Sequence, residues 1–203
     1  ILPGGFLGVD IFFVISGYLI TFLILKEKSI TKKFSFKKFY ERRVRRILPA
    51  LLVMLVIMFP LAYFVLVPSD LREYALSNLS TLSFISNYFF YFSETEYGSI
   101  DSFLKPMLHT WSLGVEEQFY LIFPILLIII LKKNWSIKFS LIIAIILSIF
   151  IASFYSISNN QFSFFSLPTR IWELFFGSLT AYLIYFKKLN FLNKNTINIL
   201  SYL

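Results

Sequence analysis

The stretch Leu108-His-Thr-Trp-Ser-Leu-Gly-Val-Glu-Glu-Gln-Phe-Tyr-Leu-Ile-Phe-Pro124 decides how the rest of the chain is interpreted. It places two adjacent carboxylates, Glu116 and Glu117, at the start of an apolar run. Residues 113–131 are long enough to cross a bilayer, which takes about 20 apolar residues, so both carboxylates are predicted to lie in the first turns of a membrane helix. Ionised side chains are costly there, and such a residue is by default a functional hypothesis.

The position of these carboxylates lowers the free-energy cost of placing their charge in the membrane. The helix macrodipole favours negative charge near a helix N-terminus, and Ser112 is placed to cap that end. The alternative interpretation is that residues 109–117 are only a polar helix cap at the membrane surface. The single histidine of the chain, His109, precedes the helix and is a further catalytic candidate, since imidazole titrates near neutral pH.

The composition identifies a membrane protein. Of the 203 residues 58% are hydrophobic and only 15% are charged, which lies far outside the usage of soluble globular domains. We therefore predict an all-α fold, a polytopic bundle of transmembrane helices. The chain has no cysteine and a single histidine, which excludes thiolate chemistry and argues against a zinc site, so no metal is expected.

Hydropathy predicts five membrane spans and one segment that does not cross completely. The spans are residues 6–25, 47–67, 113–131, 139–157 and 171–186. Segment 71–92 carries seven hydroxyl or amide side chains between Ser77 and Asn87, which is too polar for a lipid-exposed span. It is predicted to be a re-entrant or interfacial element.

The charge distribution predicts the orientation. Residues 26–46 hold ten of the nineteen Lys and Arg residues and two carboxylates, a net charge of +8 that equals that of the whole chain. The positive-inside rule places this basic loop in the cytoplasm. Segment 68–112 is then predicted to be extracytoplasmic.

The first predicted span has a small and polar stripe. Asp10, Gly17 and Thr21 are seven and four residues apart and share one helix face, with Ser16 beside them. Such a stripe allows another helix to approach closely. Simple helix packing is one interpretation, and a functional role for the intramembrane acid Asp10 is the other.

An arginine cluster follows in Phe39-Tyr-Glu-Arg-Arg-Val-Arg-Arg-Ile-Leu-Pro49. Any mixture of Lys and Arg would satisfy the positive-inside rule, so four arginines in five residues suggest phosphate recognition by guanidinium forks. Arg42, Arg43 and Arg46 are the candidate donor-binding residues, and Arg43 and Arg46 share a face if the segment is helical. The alternative is a topology anchor that contacts anionic lipid.

Four stretches together resemble the acyltransferase 3 family, integral membrane enzymes that O-acetylate cell-envelope sugars. Two of them are His109-Thr-Trp-Ser-Leu-Gly-Val-Glu-Glu-Gln-Phe-Tyr120 and the arginine cluster above. The others are Gly4-Gly-Phe-Leu-Gly-Val-Asp-Ile-Phe-Phe-Val-Ile-Ser-Gly-Tyr-Leu-Ile20 and, less specifically, Arg170-Ile-Trp-Glu-Leu174. The resemblance is closest to the O-antigen and peptidoglycan O-acetyltransferase branch, whose members often carry an extracytoplasmic SGNH-type domain.

The resemblance implies the activity and its setting. An acyl group, acetyl in particular, would move from a cytoplasmic thioester such as acetyl-CoA to a hydroxyl of a cell-envelope polysaccharide or lipopolysaccharide sugar. The expected location is the bacterial inner membrane. The partners are the glycan acceptor, the acyl-CoA donor and the lipid bilayer, with no nucleic acid and no bound cofactor.

The resemblance and the residues together define the expected site. The catalytic candidates are Asp10, His109, Glu116 and Glu117, because a carboxylate or imidazole can orient the attacking hydroxyl or accept its proton. Residues expected to be structural or to face the acceptor are Ser16, Gly17, Trp111, Ser112, Tyr120, Arg170 and Glu173. The family's usual catalytic histidine belongs to a helix expected before Pro3, so the 203 residues are interpreted as an inactive fragment of an active parent.

The predicted topology separates the two kinds of charge. Asp10, Glu116, Glu117 and Glu173 are expected near the outward helix ends, and the arginines at the inner face. A transporter or channel is the rival interpretation, since intramembrane acids also line ion pathways. A third is a membrane scaffold without activity.

Overall fold

The computed structural model describes residues 7–93 and 105–186, and within them the fold is all α, as predicted. The helices are α1 (Leu7–Thr31), α2 (Phe36–Val65), α3 (Pro68–Leu82), α4 (Ser86–Phe92), α5 (Trp111–Lys132), α6 (Ile137–Ser158), α7 (Asn160–Phe165) and α8 (Leu167–Tyr185). A 3-10 turn, Leu108–Thr110, leads into α5. The turn predicted at residues 3–5 and the lysines at 187 and 188 lie outside the described residues.

Four of the described helices are long and apolar enough to cross a membrane: α1, α2, α5 with its preceding 3-10 turn, and α6. The predicted fifth span, residues 171–186, corresponds to α8, which is a helix but is not among these four. Its first turns carry Arg170 and Glu173, and these charges lower its apolar character. It packs along α1 and α6, so its predicted membrane position rests on those neighbours.

The basic segment 26–46 is not a loop, which corrects the sequence-based expectation. Helix α1 continues to Thr31 and α2 already begins at Phe36, so only residues 32–35 connect them. Ser35 caps α2 by accepting a hydrogen bond from the Lys38 amide at 3.4 Å. Lys and Arg are good helix formers, and hydropathy reports only the apolar part of a helix that also contains them.

Helices α1 and α8 touch backbone to backbone. A Cβ atom on Gly17 would lie 1.9 Å from the Leu174 carbonyl oxygen, and one on Gly177 would lie 1.9 Å from the Val14 oxygen. The Ser178 hydroxyl donates across the crossing to the Gly17 oxygen at 3.3 Å. The small stripe of α1 therefore packs against α8, which is how small residues serve membrane helices.

Segment 71–92 forms helices α3 and α4, separated by a break at residues 83–85 where Phe84 adopts a φ of 55°. Neither helix is among the four that could span a membrane. Many of their hydroxyls and amides face the bundle: Ser86 donates to the Thr110 oxygen at 2.8 Å, and Asn87 accepts from Gln118 at 2.8 Å. These polar groups hold α4 against α5.

Candidate active site

A buried carboxylate lies at the meeting point of three helices. Glu116 of α5 is only 4% exposed, and its Oε1 accepts a hydrogen bond of 3.0 Å from the Tyr120 hydroxyl one turn later. The same Tyr120 hydroxyl bonds to the Ser16 hydroxyl of α1. The Arg43 guanidinium of α2 lies over the Tyr120 ring, 4.7 Å from its centroid. Ser16, Arg43, Glu116 and Tyr120 form what we call the central cluster.

Long side chains of α2 reach across to α5, which runs antiparallel to it, and produce this arrangement. The Tyr40 hydroxyl donates to the Leu121 carbonyl at 2.9 Å, which sets the register of the two helices. Arg43 then lies one turn further along α2, beside Tyr120. Glu116 and Tyr120 share a face of α5 because they are four residues apart. The sequence analysis identified the residue types but not this pairing.

The expected separation of the arginine cluster from Glu116 and Glu117 is wrong, whereas Asp10 and Glu173 do lie apart from it. Arg43 interacts electrostatically with Glu116 and Glu117, and Arg46 with Glu116. The cause is the early start of α2, since seven residues of helix carry Arg43 about 10 Å along the axis from Phe36. Glu116 likewise lies eight residues, or about 12 Å, from Leu108 rather than at the outer end. The two groups meet inside the bundle.

An open cleft of about 400 Å³ leads to the central cluster. It lies between α2 and the start of α5, and its polar lining comprises Arg46, His109, Thr110, Ser112 and Glu116. Ala50 and Met54 form part of its apolar wall. A basic residue, a carboxylate, an imidazole and a hydroxyl therefore border a single space that a small substrate portion can enter.

His109 is exposed at the edge of this cleft. Its Nδ1 lies 3.0 Å from the Pro106 carbonyl oxygen, which positions the ring. Glu117 is half-buried next to Glu116, and its Oε1 is buried without a hydrogen-bond partner among the described residues. Two of the expected catalytic residues, His109 and Glu116, thus line the cleft, and Glu117 lies beside it.

Arg42 lies apart from the cleft. Its guanidinium forms an ion pair of 2.8 Å with Glu27, and its side chain is 59% exposed. Glu27 also accepts from the Ser35 amide at 3.1 Å, so this pair fastens the end of α1 to the start of α2. Of the three expected donor-binding arginines, only Arg43 and Arg46 adjoin the central cluster.

Asp10 belongs to a second, separate polar group. It pairs with Arg170 of α8 at 2.6 Å, and Arg170 lies 3.2 Å from Glu173. The Arg170 guanidinium also lies 5.7 Å from the Trp111 ring centroid and 5.6 Å from that of Phe164. Asp10, Trp111, Phe164, Arg170 and Glu173 form what we call the outer cluster. Asp10 therefore neutralises an arginine in a different place from Glu116.

Glu173 is the most enclosed acid described. It is 1% exposed, and neither carboxylate oxygen has a hydrogen bond among the described residues, although Arg170 is near. The spacing of Arg170 and Glu173, three residues apart on one helix, was the signal in the sequence. The contribution of Phe164 carried no such signal, because only the folded chain brings α7 to Arg170.

No group of three or more His, Cys, Asp or Glu residues in the described ranges could hold a metal ion. The residues at and beside the cleft offer carboxylate, imidazole, guanidinium and hydroxyl groups. These can orient a hydroxyl nucleophile, accept its proton and bind anionic substrate groups.

The motifs and the helical bundle correspond to a known family of membrane proteins. The model of the acyltransferase 3 family, described as an acyltransferase domain, matches residues 3–202. The chain belongs to this family, which confirms the resemblance seen in its motifs.

Curated relatives support the same class. The chain is 38% identical over 187 residues to a Staphylococcus aureus (strain COL) protein provisionally named an O-acetyltransferase, a match that covers 90% of this chain and 31% of the relative. It is 33% identical over 186 residues to O-acetyltransferase OatA of Staphylococcus aureus (strain NCTC 8325 / PS 47), covering 90% of this chain and 30% of that protein. The chain thus spans less than a third of each of these relatives. No solved structure matches it.

Proposed function

We propose that this chain is the membrane domain of an O-acyltransferase that moves an acetyl group from a cytoplasmic thioester donor to a hydroxyl of a cell-envelope sugar. The observation that supports this most is the placement of Arg43 beside Tyr120 and the buried Glu116, at the end of an open cleft. Family membership and the names of the relatives support the reaction class.

Arg43 and Arg46 are the residues proposed to hold the donor. Arg46 is exposed at the cleft, and Arg43 is half-buried one turn before it. A guanidinium binds phosphate oxygens through two parallel hydrogen bonds, which suits the phosphates of acetyl-CoA. Acetyl-CoA is in this scheme a substrate and not a resident cofactor. The thioester would extend from the arginines along the cleft toward Glu116.

The transfer exchanges a thioester for an ester. The sugar oxygen bonds to the acyl carbon, the carbon–sulfur bond breaks, and the hydroxyl proton passes through a base to the departing thiolate. Glu116 is proposed to orient the hydroxyl or accept its proton, with Tyr120 holding the carboxylate in place. His109 and Glu117, at and beside the cleft, are the other proposed proton acceptors.

The proposed setting is the bacterial inner membrane, with the basic helix ends in the cytoplasm and a polysaccharide or lipopolysaccharide acceptor outside. Two matched relatives are about three times the length of this chain, as their 31% and 30% coverage shows. An SGNH-type domain in the parent chain stays a prediction from the family resemblance.

Substitution of the two arginines tests the proposal. Arg43→Lys and Arg46→Lys keep the positive charge but remove the planar guanidinium that binds a phosphate through two hydrogen bonds. The full-length protein should therefore bind acetyl-CoA at least about tenfold more weakly, as expected for one lost bidentate contact. Affinity is measured by titration calorimetry on purified protein in lipid nanodiscs. Arg45→Lys is the matched control, because Arg45 is 77% exposed and pairs with Glu41 away from the cleft.

If all the lysine variants bind acetyl-CoA as tightly as the wild type, the donor site is contradicted, and the arginines are only topology anchors. The rival function, a transporter or channel, predicts ion flux through proteoliposomes that depends on Glu116 without any added acyl donor. Acetyl transfer to a glycan that is lost in Arg43→Lys would exclude that rival.

A further inference from the structure

A second concave site lies on the α3–α4 side of the molecule, outside the central and outer clusters. It has a volume of about 280 Å³. Its lining includes Asp70, Glu73, Tyr74 and Ser77 of α3 together with Phe89 and Phe90 of α4. We call it the α3–α4 pocket. The proposed acyl-transfer site does not include these residues.

The polar wall of the pocket is a regular feature of α3. Asp70, Glu73, Tyr74 and Ser77 follow the spacing of three and four residues that places side chains on one helix face. Lys105 closes the pocket opposite them and forms an ion pair of 2.7 Å with Glu73. Because Glu73 is neutralised in this way, the pocket is not a plain cation site. It offers hydrogen-bond donors and acceptors side by side.

Tyr74 provides an independent indication of a ligand. Its side chain is 3% exposed, and its hydroxyl is buried without a hydrogen-bond partner among the described residues. A buried hydroxyl that lacks a partner costs free energy, roughly 1–3 kcal/mol, so such groups are rare in folded proteins. Tyr74 lines the pocket, and a polar ligand bound beside it is a source of the missing partner.

The aromatic wall suits a ligand with both polar and apolar faces. Phe89 and Phe90 are edge to face, with ring centroids 5.3 Å apart, and both line the pocket. A pyranose ring presents axial C–H bonds on its faces and hydroxyls around its edge. The combination of phenyl rings, carboxylates, an ammonium group and an unpaired phenol matches this pattern.

The pocket is joined to the proposed active site through one residue. Pro106 lines the pocket, and its carbonyl oxygen lies 3.0 Å from Nδ1 of His109. His109 in turn lines the cleft that leads to Glu116. A ligand in the pocket therefore lies on the far side of a single turn of chain from the cleft.

We propose that the α3–α4 pocket is a saccharide-binding subsite that holds one pyranose unit of the acceptor glycan near the cleft. This inference rests on the proposed function, since it assigns the acceptor a position. Tyr74 donates to a sugar hydroxyl, Glu73 and Asp70 accept from others, and Phe89 packs against the ring face. The turn that carries His109 separates the pocket from Glu116. The pyranose unit in the pocket is therefore a neighbour of the sugar unit that is acetylated.

Saccharide binding by the full-length protein in nanodiscs tests this subsite. The probes are a tetramer of N-acetylglucosamine and a tetramer of glucose, titrated calorimetrically. Tyr74→Phe should weaken binding about tenfold, the worth of one hydrogen bond to a buried partner, without lowering the thermal midpoint. Phe89→Leu should weaken it as well. Tyr63→Phe is the control, because Tyr63 is 61% exposed on α2.

The outcomes separate this inference from the proposed function. Failure of the wild type to bind either tetramer, or equal binding by wild type, Tyr74→Phe and Phe89→Leu, overturns the subsite. Acetyl-CoA binding is measured on the same preparations. Donor binding that depends on Arg43, with no saccharide binding, overturns the subsite alone. Saccharide binding that depends on Tyr74, without acetyl transfer, supports the subsite and overturns the proposed transfer.

Discussion

Glu116 shows how a carboxylate is kept inside this bundle. An isolated ionised carboxylate is very costly to bury, and hydrogen bonds and nearby opposite charge must offset that cost. Tyr120 supplies a hydrogen bond from the same helix, and Arg43 supplies positive charge from α2. Ser16 completes the arrangement by bonding to the Tyr120 hydroxyl. Each partner depends on the others, so single substitutions should have effects beyond their own contact.

Removal of the Tyr120 hydroxyl tests this dependence. Tyr120→Phe leaves the buried Glu116 without its donor, so we expect the free energy of unfolding to fall by about 1–3 kcal/mol. Acetyl transfer by the full-length protein should fall more than donor affinity, because the carboxylate loses its orientation. Thermal unfolding and steady-state kinetics measure the two effects.

Tyr182→Phe is the matched control for this change. Tyr182 has a ring contact with Phe186 on α8 and lies far along the chain from the central cluster. Wild-type stability and transfer in Tyr120→Phe would mean that the hydroxyl does not support Glu116.

At the scale of helices, the α1–α8 crossing is the tightest contact described. Gly17→Ala places a methyl group where the Leu174 carbonyl lies, and rigid backbone cannot move aside as a side chain would. We expect the two helices to separate, the free energy of unfolding to fall by more than 2 kcal/mol as for overpacked interiors, and the Asp10–Arg170 pair to loosen. Thermal unfolding in nanodiscs measures the loss.

Gly8→Ala is a control within the same helix. A Cβ atom at Gly8 meets nothing within 4 Å, and alanine favours a helix over glycine by about 1 kcal/mol. That variant should be as stable as the wild type or slightly more so. An equal loss in both variants would show that the loss in Gly17→Ala does not come from the close α1–α8 crossing.

The sequence predicts the helices well and their partners poorly. Apolar runs predict the helices α1, α5 and α6, all of which are long and apolar enough to cross a membrane, and α3 and α4 of the hydroxyl-rich segment 71–92 are not among such helices. Hydropathy does not report which faces meet, so the contact of Arg43 with Tyr120 could not be foreseen. The sequence predicts the same catalytic role for Asp10 and Glu116 because both are intramembrane acids. In the folded chain Asp10 lies on the face of α1 that meets Arg170 of α8.

At the scale of the whole molecule, the predicted orientation in the membrane rests on the charge excess near the α1–α2 connection, which the positive-inside rule places in the cytoplasm. The chain has no cysteine, so single cysteines report accessibility without background. Lys33→Cys should resist a membrane-impermeant thiol reagent in intact cells, and Ser69→Cys should react.

Both positions are exposed in the structure, so protein burial does not mask the result. Permeabilised cells serve as the control, in which both cysteines should react equally. Reaction at Lys33→Cys but not at Ser69→Cys in intact cells would invert the topology. It would place the arginines on the side opposite the donor.

Phe13 separates the two groups of charged residues inside the bundle. It follows Asp10 and precedes Ser16 on α1, it is fully buried, and its ring meets Trp111 edge to face at 6.1 Å. The packed rings of Phe13 and Trp111 thus place an apolar contact between Asp10 of the outer cluster and Ser16 of the central cluster. Each cluster balances its acids with its own arginine, which is Arg170 in the outer cluster and Arg43 in the central cluster.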